Sequence, residues 1–107
     1  MRKVRLQNEL ISPELKRRFK EIGWQDTPDP IVIAKFFNPS GWGTWYATAY
    51  NEDNNTCYGY VADLVPGFDE WGYFSIDELE SFRDHFYSLP IERDLYFDEV
   101  RFSELKM

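Results

Sequence analysis

GTWYATAYNEDNNTCYGYVADL, Gly43 to Leu64, decides how the rest of the chain can fold. Two runs rich in aromatic and β-branched residues flank NEDNNT, Asn51 to Thr56, a segment of turn formers, and that order reads as a β-hairpin. Side chains of a strand alternate between faces, so Thr44, Tyr46, Thr48 and Tyr50 share one face while Trp45, Ala47 and Ala49 share the other. In the partner run, Tyr58 and Tyr60 alternate with Gly59 and Val61. Small residues let a helix approach closely, so Ala47, Ala49, Gly59 and Val61 are expected beneath helices, with a tyrosine-rich face left open opposite.

Working outward, IVIAKFF (Ile31 to Phe37) lies between the breakers TPDP and NPSG and adds a third strand to an antiparallel meander. Beyond the hairpin, a turn at Pro66 and Gly67 precedes a short strand at Trp71 to Phe74, and IERDLYF (Ile91 to Phe97) predicts one more. SPELKRRFKEIG carries the marks of a helix: Ser12 to cap it, Pro13 in its first turn, Gly23 to end it, and Leu15, Phe19 and Ile22 on one stripe. SIDELESFRDHFYS starts with Ser75 three residues before Glu78, a capping box, and sets Ile76, Leu79, Phe82 and Phe86 on a second stripe. The expected fold is α+β, a mostly antiparallel sheet of four to five strands with two helices packed on one face. One domain over 1–107 is expected, with a basic helical segment 1–23, the sheet and second helix over 31–97, and a tail 98–107 of undefined structure.

A chain of 107 residues suffices for one domain and for one hydrophobic core, not two. Its 43% hydrophobic and 29% charged content is that of an ordinary globular protein, and its 19% aromatic content is high. Residues 1 to 20 hold seven basic side chains against two acidic, a net +5, while the rest holds five against 17, a net −12. An acidic body repels phosphates, so direct nucleic-acid binding by the main domain is not expected. No run approaches the roughly 20 apolar residues of a membrane span, and MRKVRLQNEL lacks the apolar stretch of a signal peptide. Membrane contact is not expected, and the lone Cys57 fits a reducing, cytoplasmic setting.

The residues offer little for catalysis. One His and one Cys cannot build a transition-metal site, and NEDNNT and FDE lack the spacing of a calcium loop. His85 flanks the apolar stripe of the second helix, where a histidine needs no catalytic duty, and Cys57 reads as a small packing residue. GWG at Gly41 to Gly43 leads into a strand and so is not a phosphate loop. No catalytic residue, metal site or cofactor is predicted.

KFFNPSGWGTWYATAY, YGYVADL, EWGYFSIDELESF and LPIERDLYF, in that order, resemble a family of short bacterial proteins known as domain of unknown function 2958. The resemblance runs from about Ile31 to Phe97, and is most specific at the tryptophan and tyrosine pattern of Trp42 to Tyr46, at Gly72 to Leu79, and at the Glu92, Arg93, Asp94 triplet. Members of that family are met on plasmids, conjugative elements and phages, so the resemblance implies an accessory role in mobile-element biology. It implies no catalytic residues.

Three functional readings follow. The favoured one is contact with a protein partner through the tyrosine-rich face, with Trp42, Tyr46, Tyr58, Tyr60 and Trp71 as anchors, since interfaces are rich in Tyr and Trp. A second is a nucleotide or sugar pocket around Arg93 and the aromatics. A third is mimicry of nucleic-acid charge by Asp77, Glu80, Asp84, Glu92 and Asp94, to occupy a host protein's DNA groove. In LPIERDLYF, alternation sets Ile91, Arg93, Leu95 and Phe97 on one face and Glu92, Asp94 and Tyr96 on the other. An inward Arg93 requires a partner, expected to be a carboxylate from Asp63, Asp69, Glu70 or Glu78.

Overall fold

The structure is a computed structural model that describes residues 9–107. Arg2, Lys3 and Arg5, expected in the helical segment 1–23, lie outside the described residues. Helix α1, Pro13–Ile22, starts where the sequence places it: the Ser12 hydroxyl accepts from the Leu15 N–H, and Gly23 takes φ +69°, a left-handed value that suits glycine. Phe19 is buried, with Leu15 and Ile22 packed beside it.

Seven strands follow: β1 (Ile31–Val32), β2 (Ala34–Phe37), β3 (Thr44–Asn51), β4 (Thr56–Ala62), β5 (Glu70–Ser75), β6 (Glu92–Arg93) and β7 (Val100–Arg101). Helix α2, Ile76–Ser81, lies between β5 and β6, and a 3₁₀ turn, Phe102–Glu104, follows β7. Five strands make one antiparallel sheet in the order β5-β4-β3-β2-β6, and β1 pairs with β7 in a second, two-stranded sheet. The α+β architecture is as expected, with both helices on one face. Ile31 to Phe37 is two strands rather than one, because Val32 pairs with Val100 while Ala34 pairs with Ala47.

The hairpin forms, but its alternation breaks at Thr48. Ala47 lies opposite Gly59 and Ala49 opposite Tyr58, so Thr48 is a β-bulge. Beyond it β3 exchanges its faces: Tyr50 joins the helix side opposite Cys57, and Ala49 shares the side of Tyr58. The expected single face of Thr44, Tyr46, Thr48 and Tyr50 is therefore wrong, as is the placing of Ala49 under the helices, whereas Ala47 and Val61 do belong to the helix-side core. Gln25 fixes the bulge. Its Nε2 donates to the carbonyls of Thr48 and Ile31 at 2.9 Å each, and its Oε1 accepts from the Ile31 N–H at 2.8 Å.

The expectation of a single core is wrong: hydrophobic packing occupies both faces of the sheet, because the tail supplies a cover for the second. The main core joins Leu10, Ile11 and Phe19 to Phe36, Trp45, Ala47 and Cys57, with Ile76, Leu79 and Ile91 closing it. Full burial of a side chain such as Phe36 or Ile76 stabilises the fold by about 1.5–3 kcal/mol. On the opposite face, Val32, Tyr46 and Ala62 form a second core, covered by Tyr60, Phe97, Phe102 and Leu105. The tyrosine-rich face is not open, because the tail lies over much of it. Asp29 holds that tail, its two carboxylate oxygens accepting from the N–H and hydroxyl of Ser103 at 2.8 Å each. Arg18 of α1 adds a two-point ion pair to Glu99 at 2.8 and 2.9 Å.

Two further expectations need correction. The second helix stops at Ser81 instead of running to Phe86, because Asp84 turns the chain: its carboxylate accepts from the N–H groups of Phe86 and Tyr87. Those bonds hold the Asp84 carboxyl below the usual carboxylate range. LPIERDLYF is a strand only at Glu92–Arg93, after which the Asp94 side chain accepts from the Tyr96 N–H and swings Leu95 and Tyr96 into solvent.

Candidate functional site

Arg93 does point toward the main core, beside the buried Ile91. Its guanidinium donates to the Leu10 carbonyl at 3.2 Å, and no carboxylate among the described residues pairs with it. The expected carboxylate partner is therefore replaced by backbone, and Arg93 clamps the segment entering α1. Glu80 completes that clamp by accepting from the Leu10 N–H at 2.9 Å. With its guanidinium engaged on the fold, Arg93 is poorly suited to anchor a nucleotide or sugar.

Of the other acidic candidates, all but Glu92 are engaged locally. Asp77 accepts from Asn55 Nδ2 at 2.8 Å, tying the hairpin turn to the start of α2, while Asp94 forms an ion pair with Lys35 at 3.6 Å. Glu92 is exposed. Regularly spaced free carboxylates are absent from α2, which is only six residues long.

The aromatic candidates fall into separate places. Tyr46 is 5% exposed and Tyr60 lies under Phe102, with ring centroids 4.9 Å apart, so neither anchors an open interface. Burial raises both phenols above their ordinary range. Trp71 packs against Phe102 at 4.7 Å and Tyr60 at 5.3 Å. Tyr58 sits farther along the same face, half-buried between Trp24 at 5.0 Å and Tyr73 at 4.9 Å.

Trp42 is different. It is 66% exposed, on the loop joining β2 to β3. Asn38 fastens that loop: its side chain donates to the Trp42 carbonyl at 3.3 Å and accepts from Ser40, and its N–H donates to the Gly43 carbonyl. At Gly43, with φ +120°, a Cβ would come within 2.8 Å of the Trp45 ring and 3.2 Å of Leu64, so only glycine lets this loop approach the one joining β4 to β5. That second loop carries Leu64, Val65 and Phe68, the last 73% exposed. It is ordered by Asp69, which accepts from the Asp63 N–H, and by a turn bond from Phe68 to Val65.

Antiparallel pairing places both loops at one end of the sheet, and β6, paired with the end of β2, brings the Asp84 turn there too. Ser40 lies beside Asp84, and Phe86 and Tyr87 stand exposed on that turn. Trp42, Leu64, Val65, Phe68, Phe86 and Tyr87 thus populate one end of the molecule on loops fastened by side-chain caps. Of these, sequence reasoning named only Trp42. The same signal, a large apolar residue in a Gly- and Pro-rich loop, was present in VPGFDE and would have found Phe68.

Chemistry beyond contact finds few parts. Among the described residues no group of three or more His, Cys, Asp or Glu side chains could hold a metal ion, and no helix is long and apolar enough to cross a membrane. Burial pushes the Cys57 thiol well above its ordinary pKa, so it is not a ready nucleophile. Neither a curated protein nor a solved structure matches the chain. The sequence profile of the family described as Protein of unknown function (DUF2958) matches residues 6–104. That span reaches beyond Ile31 to Phe97 to take in α1, the Gln25 and Asp29 clamps, β7 and Phe102, the parts that close both cores, and the chain belongs to this family.

Proposed function

We propose that this chain is a small, non-enzymatic accessory protein of a bacterial mobile genetic element, which works in the cytoplasm by docking a partner protein on the apolar loop end of its sheet. The single observation that carries this reading is the gathering of Trp42, Leu64, Val65, Phe68, Phe86 and Tyr87 on loops with fixed backbones. Exposed apolar groups gathered at one end of a fold mark contact sites, and preorganised aromatic anchors bind with less loss of conformational entropy. The contact site is thus moved from the sheet face to the sheet end. The mobile-element setting rests on what members of the family are expected to do.

Nucleic-acid mimicry finds less support, since Asp77, Glu80, Asp84 and Asp94 each hold a partner inside the chain. Affinity capture from cells that carry the element tests the proposal. A partner retained by the wild type and by Leu95→Ala, but lost from Trp42→Ala/Phe68→Ala, is the expected result. Retention by the double variant would sink it.

A further inference from the structure

At the other end of the sheet, beside the hairpin turn, lies an open groove of about 580 Å³ between α1 and β3–β4. Trp24, Tyr58 and Tyr73 line its wall with rings inclined to one another: the central Tyr58 ring lies 5.0 Å from Trp24 at 56° and 4.9 Å from Tyr73 at 64°. The outer two are 58% and 72% exposed, although each would gain from burial. A second groove of about 420 Å³ shares Trp24 and Tyr58 and continues past them to Gln25, Thr27 and Thr48. Both volumes lie in the range of small-molecule sites.

The polar lining selects among ligands. Lys16 and Lys20 come from α1, and Asn51, Glu52 and Asp53 from the hairpin. Lys16 is held 3.8 Å from Glu52, and the two cations and two anions cancel. A phosphate needs net positive charge, which this groove lacks. An organic cation needs net negative charge, which the groove lacks equally. A wholly apolar ligand would strip water from the charged rim without replacing its hydrogen bonds. What remains is a neutral ring with one C–H face to lie on an aromatic plane and hydroxyls that need both donors and acceptors, which Lys20, Asn51 and Asp53 bring to the lining.

We infer that the groove between α1 and the hairpin turn is a saccharide-binding site, with Trp24 and Tyr73 as stacking platforms around Tyr58. It lies at the opposite end from the docking loops, so either proposal can fail without the other. The test is NMR titration of the intact protein, following the Trp24 indole resonance and, in Trp24→Ala, the ring resonances of Tyr58. Neutral di- and trisaccharides of glucose, N-acetylglucosamine, galactose and mannose are the ligands, with AMP and choline as charged probes. One saccharide series is expected to shift Trp24 saturably at millimolar concentration, and Trp24→Ala and Tyr73→Ala are each expected to weaken binding by about tenfold or more. Leu95→Ala, remote from the groove, retains wild-type affinity, and near-ultraviolet circular dichroism verifies the fold of every variant. No response to any saccharide, a response to AMP or choline instead, or undiminished binding by folded Trp24→Ala would each overturn the assignment.

Discussion

Replacing Phe102 with alanine tests whether the tail closes the second face of the sheet. Phe102 is half-buried, with its ring 4.9 Å from Tyr60 and 4.7 Å from Trp71, above a core that contains Tyr46. Truncating a fully buried phenylalanine costs about 3–5 kcal/mol, so half that exposure change gives roughly 2 kcal/mol. Two aromatic neighbours add about 0.5–1.5 kcal/mol each, partly overlapping with area burial, and a total of about 2–3 kcal/mol is the working figure. At roughly 4 °C per kcal/mol for a domain of this size, the midpoint should fall by roughly 8–12 °C. Thermal unfolding followed by near-ultraviolet circular dichroism reads this out, with Trp42→Ala as the exposed aromatic control expected to leave the midpoint unchanged. If Phe102→Ala and Trp42→Ala melted together with the wild type, the tail would not be a structural cover.

Three further outcomes are expected. Gln25→Ala removes three hydrogen bonds and strands the Ile31 N–H, so it should lower stability by about 2–4 kcal/mol in chemical unfolding, against a few tenths for an exposed Gln. The Ser103 bonds hold the Asp29 carboxyl below its ordinary pKa, so its stabilisation is complete above the unfolded value of about 3.9 and fades as pH falls through the lower folded value. Melting across a pH series should therefore show Asp29→Asn less stable than wild type at pH 6 and the gap narrowing below about pH 4; a constant gap would refute the linkage. Cys57, fully buried with its thiol pKa raised, should resist a disulfide reagent in the native protein and react on unfolding, and prompt native-state reaction would contradict its placement.

Where the determinants are local, the sequence was legible. The Ser12 cap and the apolar stripe gave α1, and NEDNNT gave the hairpin, because both are set by residues a few positions apart. The bulge at Thr48 was hidden, since what fixes it is a glutamine 23 residues away reaching a backbone carbonyl. Carbonyls carry no residue identity, and for the same reason Leu10 could not be foreseen as the partner of Arg93. The apolar stripe runs on through Phe82 and Phe86 and so reads as continued helix, yet the buried surface ends near Leu79 and Asp84 offers the backbone a competing turn. The tail looked featureless because each contact it makes is short, and its strand, Val100–Arg101, is two residues long. Of the candidate site, Trp42 was legible from the weak packing demand of a glycine-rich loop. Tyr46 and Tyr60 were not, because burial under Phe102 depends on a segment more than 40 residues downstream.

Site-specific photocrosslinking inside cells bears most directly on the central claim, that the loop end of the sheet docks a protein. A photoreactive phenylalanine analogue placed at position 42 or 68 should yield one discrete crosslinked protein, the same from both positions, and the analogue at exposed position 95 should not yield it. Crosslinking from 95 and not from 42 or 68, or none from the loop end while the element is expressed, would contradict the account.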